Sequence, residues 1–222
     1  MSRKYIVAGG FGALGRAVVA ELEQAGHKVA AVDMAPVPDG YSGIGVGGID
    51  LAEEEAVAKG YGEAVKALGG LDGVANIAGG FVWEMQADGS LDSWDRMYRM
   101  NLRTATVSSR AAMGLLGAGG AIVNVGAAAA ANADTGMAPY AASKAGVMAL
   151  TQSLANELRG RHIRVNAVLP TILDTPTNRA DMPDADTSAW VQPAAAAKVI
   201  AFLLSADSGC VTGAGIPLSL GS

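Results

Sequence analysis

The chain has 222 residues, half of them hydrophobic, which suits a single domain with one large core. Its net charge of −5, with no basic run, argues against nucleic acid or an anionic membrane surface as a partner. A single cysteine, Cys210, excludes an intrachain disulfide and fits a reducing, cytoplasmic setting. No segment reads as membrane-spanning, and the opening residues leave no room for a signal peptide.

Tyr5-Ile6-Val7-Ala8 is a short apolar run typical of a buried parallel strand. The turn Gly9-Gly10-Phe11-Gly12-Ala13-Leu14-Gly15 follows at once, and residues 16–24 carry Ala17, Val18 and Leu22 at helical spacing. Strand, glycine turn and helix are the context that a dinucleotide-binding fingerprint requires. Glycines let the backbone approach a pyrophosphate, whose charge meets the free N–H groups of the helix start. Residues 28–32 form a second strand that closes on Asp33. An acid there accepts from both adenosine ribose hydroxyls and repels a 2′-phosphate, so NADH is expected over NADPH.

A Pro/Gly-rich loop over 36–48 follows, with a short strand ending at Asp50, then a helix over 53–68 capped by Asp50 or the residues after it. Residues 72–78 form the next strand, ending in Gly79-Gly80. One long helix is expected over 91–116, a strand over 120–125, and a loop beside the active site at the alanine run 127–131. A helix over 138–159, a strand over 163–169 and a long loop through Trp190 come next. A helix over 193–205 and a strand near 215–220 close the chain. The alternation implies a doubly wound parallel sheet with helices on both faces: one three-layer Rossmann domain over 1–222. His27 and His162 stand far apart without a carboxylate or cysteine at ligand spacing, so no metal site is expected. Cys210 reads as a small buried hydrophobe.

Within the helix over 138–159, Tyr140 and Lys144 stand at i and i+4 and share a face. A phenol with pKa about 10 is a poor proton donor or acceptor at neutral pH. A neighbouring ammonium favours the phenolate and brings that pKa toward the working range.

These motifs make the chain resemble a short-chain dehydrogenase/reductase along essentially its whole length. The residues that carry the resemblance are the turn Gly9–Gly15, Asp50-Leu51, Asn76-Ile77-Ala78-Gly79, Asn101, the Tyr140/Lys144 pair and Pro170. The resemblance implies that Tyr140 is the catalytic acid/base and that Lys144 holds the nicotinamide ribose and lowers the Tyr140 pKa. It implies that Asn101 helps to hold a water behind Lys144, and that Gly9, Gly12, Leu14 and Gly15 cradle the pyrophosphate. Asp50 and Leu51 would meet the adenine, and Asn76, Ala78 and Gly79 would line the cofactor cleft. Pro170 and Thr175 would lie at the nicotinamide carboxamide, with Thr171 a weaker candidate. Ala13 replaces the middle glycine of the family turn. The helices over 91–116 and 138–160 imply a homodimer or homotetramer.

One departure bears on chemistry. The family's serine, about thirteen residues before the tyrosine, is here Ala127. Losing that hydroxyl removes a donor to the developing oxyanion, typically worth a few kcal/mol in a buried site. Dihydropteridine reductases also lack the serine, and the chain resembles them in the glycine turn, in Ala78-Gly79-Gly80-Phe81, and in the loop running from Leu169 to Asp186 followed by Trp190. That resemblance implies a quinonoid dihydropterin as the small-molecule substrate. Asn101 and the C-terminal segment 211–217 are closer to ordinary members of the family.

Phe81, Trp83 and Trp190 could stack on a flat heteroaromatic substrate, or Trp190 could pack the loop 171–192 on the core. Asp174 could cap a local turn. Arg179 and Asp184 to Asp186 read as a solvated loop or as a lid over a ligand. Ser143 projects from another helix face and is not a replacement for the missing serine. Two other functions fit the sequence: a general carbonyl or alcohol oxidoreductase using another hydroxyl such as Thr135, and a non-catalytic NAD-sensing protein.

Overall fold

The computed structural model describes residues 2–220. Seven parallel strands form one sheet in the order β3-β2-β1-β4-β5-β6-β7. They are β1 (Lys4–Ala8), β2 (Lys28–Val32), β3 (Ile44–Val46), β4 (Gly73–Asn76), β5 (Ala121–Val125), β6 (Arg164–Pro170) and β7 (Gly215–Leu218). The first three strands wind outward in one direction and the last four in the other. The switch lies between β1 and β4, and a crevice opens there at the carboxyl ends of the strands.

Successive side chains on a strand face opposite ways, so the central strands feed two cores. Tyr5, Val7, Val29 and Ala31 pack with Leu14, Val18 and Leu22 of α1 (Ala13–Gln24) and with Ile200, Leu203 and Leu204 of α7 (Pro193–Leu204). Ile6, Ala8, Ala30 and Val32 face the other way, toward α2 (Glu54–Leu68), α4 (Thr104–Leu115) and α5 (Ala138–Glu157). The doubly wound three-layer fold expected from the sequence is therefore the observed one.

Several local expectations are corrected. The helix expected as one piece over 91–116 is α3 (Leu91–Met97), a π-helical segment (Tyr98–Arg103) and α4. The Asp50 side chain does not cap α2. Glu53 is the N-cap residue and its side chain makes no capping bond, while Asp50 accepts the Ala52 N–H inside the preceding turn. The long loop before Trp190 contains a one-and-a-half-turn helix, α6 (Pro176–Asp181), whose Asn178 N–H is met by the Thr175 hydroxyl. The alanine run holds a single 3-10 turn, Ala128–Ala130. Cys210 is exposed rather than buried, because it follows the turn after α7 instead of lying on a strand.

Candidate active site

The crevice at the switch point has a volume of about 780 Å³. Its adenosine half is built largely from backbone. Gly9 has φ +86°, and a Cβ there would lie 2.6 Å from the Ala78 amide nitrogen. A Cβ on Gly15 would run into the Gly9 carbonyl oxygen. Gly12 differs from both. Its nearest neighbour, the Gly9 oxygen, would stand 3.6 Å from a Cβ, so Gly12 faces open space in the crevice. The result is a bare backbone cradle at the start of α1, the shape and polarity that suit a pyrophosphate.

Asp33 sits where β2 ends, and its carboxylate is held from both sides. Oδ2 accepts the Phe11 N–H at 2.9 Å and Oδ1 accepts the Ala35 N–H at 3.0 Å. Further along the rim, Asp50 pairs with Arg99 at 2.7 Å, and the same guanidinium reaches Glu53 at 2.9 Å. Leu51 is buried beneath them and lines the crevice with Leu14. Among the described residues the lining holds two cations, Arg99 and Lys144.

The other half is built from side chains of distant segments. Helix α5 presents Tyr140 and Lys144 to the crevice, together with Phe81, Pro170 and Thr175. Lys144 is 4% exposed; its Nζ donates to the Val125 carbonyl at 2.8 Å and lies 6.0 Å from the centre of the Tyr140 ring. Burial pushes the Tyr140 phenol up to about 12 and the Lys144 ammonium down to about 8. This corrects the expectation that Lys144 lowers the phenol pKa. In this geometry desolvation governs both groups, and the ammonium points to Val125. Phe81 meets the Tyr140 ring edge-on, with centres 4.9 Å apart.

Asn101 lies in the π-helical segment and is 1% exposed. Its Oδ1 accepts the Gly80 N–H at 2.9 Å, and its Nδ2 donates to the Gly80 carbonyl at 3.1 Å and to Ser143 Oγ at 2.9 Å. Both of its amide hydrogens have protein acceptors, so a water behind Lys144 would be met by the remaining lone pairs of Oδ1 or the main-chain carbonyl. Ser143 in turn donates to the Tyr140 carbonyl at 2.7 Å, which links the π segment to the tyrosine's own helix. Ser143 is the residue whose part the sequence reading missed; its place one turn after Tyr140, on the side facing residues 98–103, was the available signal. Arg99 and Arg103 flank Asn101 and tie the segment to the turn at 50–53, Arg103 through Nε to the Ala52 carbonyl at 2.7 Å.

Other expected residues fall elsewhere. Ala78 and Gly79 line the crevice, but Asn76 does not. Asn76 lies beneath it, donating to Asn124 Oδ1 at 2.7 Å and Ser109 Oγ at 3.0 Å, and accepting from Ser108, which also bonds Tyr61. Its amide is committed to joining β4, β5 and α4. Trp190 is 4% exposed and packs inside, and Trp83 lies against Gly136 with its Nε1 donating to the Thr135 carbonyl. Of the three aromatic candidates, only Phe81 lines the crevice, and Thr135 does not. Thr175 does, though its hydroxyl accepts the Asn178 N–H at 3.2 Å as the cap of α6. Asp174 is held by Arg179 at 2.5 Å and by Gln192 at 2.8 Å, which lower its pKa to about 2 and occupy Arg179. Ala127, where the resemblance places a serine, is 2% exposed. No group of metal-ligating side chains occurs among the described residues, and no helix is long and apolar enough to cross a membrane.

The sequence profile described as Enoyl-(Acyl carrier protein) reductase matches residues 10–222. A rat (3R)-3-hydroxyacyl-CoA dehydrogenase is 40% identical over 145 residues, covering 60% of this chain, which there spans about half (55%) of the relative's length. Zebrafish carbonyl reductase family member 4 is 31% identical over 96% of this chain and 94% of its own. A short-chain dehydrogenase from Burkholderia cenocepacia, solved in complex with NADP, superposes with a TM-score of 0.84 at 28% identity, covering 99% of this chain and 97% of its own. With a glycine cradle, a switch-point crevice and a Tyr–Lys helix in the positions described, the chain belongs to the short-chain dehydrogenase/reductase family of NAD(P)-dependent oxidoreductases.

Proposed function

We propose that the protein reduces an electron-poor C=N or conjugated C=O group, of the kind found in a quinonoid dihydropterin, with NADH preferred over NADPH. The observation that carries this reading is Ala127: the Tyr–Lys pair is complete, but the hydroxyl that would steady a developing oxyanion is replaced by a buried methyl. A substrate that is already activated needs that donor least.

The cradle of Gly9, Gly12 and Gly15 suits the pyrophosphate of a dinucleotide, with Leu14 and Leu51 beside it and Asp33 placed for the adenosine ribose. Asp50, Ala78, Gly79, Lys144, Pro170 and Thr175 complete the residues that would hold the cofactor. When bound, a nicotinamide dinucleotide supplies the hydride. Tyr140 supplies the proton: a phenol held near 12 stays protonated at neutral pH and is set up as a donor in the reductive direction. Lys144 orients the ribose side of the cleft, and Asn101 and Ser143 fix the helix that carries both. Phe81, edge-on to Tyr140, forms an apolar wall for a flat substrate. The fixed Asp33 carboxylate disfavours a 2′-phosphate, which supports the NADH preference.

A second reading, a general carbonyl reductase, draws on the full-length similarity to carbonyl reductase family member 4. The test is NADH oxidation with freshly generated quinonoid dihydropterin, run beside simple ketones and repeated with NADPH. Fast pterin turnover with NADH alone is expected. Ketone turnover without pterin turnover would replace this reading by the second, and tight NADH binding without any turnover would point to a cofactor-sensing protein.

A further inference from the structure

The opposite end of the sheet, where the parallel strands begin, has a chemistry of its own. Arg3 precedes β1, Gly119 precedes β5, His162 and Ile163 precede β6, and Arg164 is the first residue of β6. Together with Arg159 and Thr212 they line a second cleft, of about 430 Å³. No carboxylate is among its lining residues, although the chain as a whole is acidic, with a net charge of −5. Three arginines and a histidine therefore line one cleft with no carboxylate among its walls. Among the described residues none of the four forms an ion pair.

Arg164 is 9% exposed, so its charge is largely out of water. Its Nη1 donates to the Leu203 carbonyl at 2.7 Å and to Ser208 Oγ at 2.6 Å, and its Nη2 donates to the Ser205 carbonyl at 2.7 Å. These acceptors lie at the C-terminal end of α7, where a cation is favoured, and they explain why an arginine stands there. They do not explain Arg3 and Arg159, whose guanidinium groups make one hydrogen bond each: Arg3 to the Gly119 carbonyl at 2.7 Å and Arg159 to Asn156 Oδ1 at 3.3 Å. Most of the donors of these two forks are uncommitted. Burial, and after it the like charge of Arg3, pulls the Arg164 pKa down. Thr212 accepts the Val165 N–H at 3.1 Å, which leaves its hydroxyl proton for an acceptor. His162 stands on the rim with φ +55°, a left-handed conformation rare for a residue with a side chain.

We infer that this cleft is a binding site for a small multivalent oxyanion of the phosphate or diphosphate class, free or as the terminal group of a phosphorylated metabolite. Guanidinium forks match the oxygen geometry of phosphate and bind it bidentately, which a point-like ammonium does not. The uncommitted forks of Arg3 and Arg159, beside the buried Arg164 charge, gain from an anion that arrives already shaped to their donors. The site lies at the opposite end of the strands from the dinucleotide crevice, so both can be filled at once.

The experiment is calorimetric titration of inorganic diphosphate at constant ionic strength, into the wild type and into Arg159→Gln, Arg3→Gln/Arg159→Gln and Thr212→Val variants. A titration with a phosphate monoester separates the free ion from a phosphorylated metabolite as the preferred form. Arg164 is left in place because it holds the end of α7. Saturable binding, weakened at least tenfold in the double variant and several-fold in Thr212→Val, is expected. Arg159 is exposed and its single replacement leaves the core untouched, so that variant reports even where the double variant folds poorly. Binding of equal strength in Arg159→Gln and wild type would assign the anion to the glycine cradle instead, and the absence of saturable heat in the wild type would remove the site altogether.

Discussion

The two halves of the crevice are held together in different ways. On the adenosine side the groups that matter are close in sequence or held by backbone: Gly9 against Ala78, Gly15 against Gly9, Asp33 against Phe11. On the nicotinamide side they are side chains from segments far apart in the chain: Lys144 on Val125, and Asn101 bridging Gly80 and Ser143. The first half is rigid because close packing leaves its backbone nowhere to go. The second is rigid only while several buried polar bonds hold at once, and such networks fail together when one member is lost.

Tyr140→Phe is the sharpest way to break the comparison. It removes one oxygen from the nicotinamide side and touches nothing on the adenosine side. Loss of a positioned proton donor typically costs about 10²- to 10⁴-fold in rate. Turnover should fall by that much while NADH affinity, measured by fluorescence titration, stays within about threefold. Unchanged turnover would take Tyr140 out of the chemistry.

Gly15→Ala tests the other half, with a smaller expected effect on stability. The added methyl meets the Gly9 carbonyl oxygen, a backbone atom that cannot turn aside. Overpacking of this kind costs about 1–3 kcal/mol. The urea midpoint should fall accordingly, and dinucleotide binding should weaken more than stability does, because the same backbone forms the cradle. A variant with wild-type midpoint and affinity would mean that the turn yields more easily than its packing implies.

The same division explains what could be read from the sequence. Strand, glycine turn, helix and terminal acid lie within the first 33 residues, and each has a local physical reason. So Gly9, Gly12, Gly15 and Asp33 were found at the crevice where expected. The π-helical segment was not legible, since nothing in Tyr98-Arg99-Met100-Asn101-Leu102-Arg103 disfavours an ordinary helix. Its widened turn coincides with tertiary bonds that Arg99, Asn101 and Arg103 make to residues before and after it. The resemblance puts Asn76 in the crevice, and burial decides otherwise; of the two roles open to Trp190, burial favours packing the loop 171–192 on the core. The helix α6 was legible in part: Thr175-Pro176 is a cap followed by a proline at the first helical position. Cys210 is exposed because it follows the turn after a helix end, a position that residue type alone does not reveal.

A difference in pH dependence isolates one buried charge. Burial lowers the Lys144 pKa from 10.5 to about 8 in the folded protein. Between these values the unfolded chain holds a proton at this position that the folded chain has released. Stability therefore rises with pH across this window and has no slope from this group below about pH 8 or above about 10.5. The full rise is on the order of 3 kcal/mol. Tyr140, whose pKa is raised, adds a slope of opposite sign only above pH 10, and it is present in wild type and variant alike. In Lys144→Met the window vanishes, although the Val125 carbonyl loses its donor, a cost of about 1 kcal/mol that does not vary with pH. Urea midpoints at pH 7.5, 9 and 10 should climb for the wild type relative to the variant. Parallel pH profiles would mean that Lys144 keeps its proton in the folded state, which would require water or a counter-charge to reach the floor of the crevice.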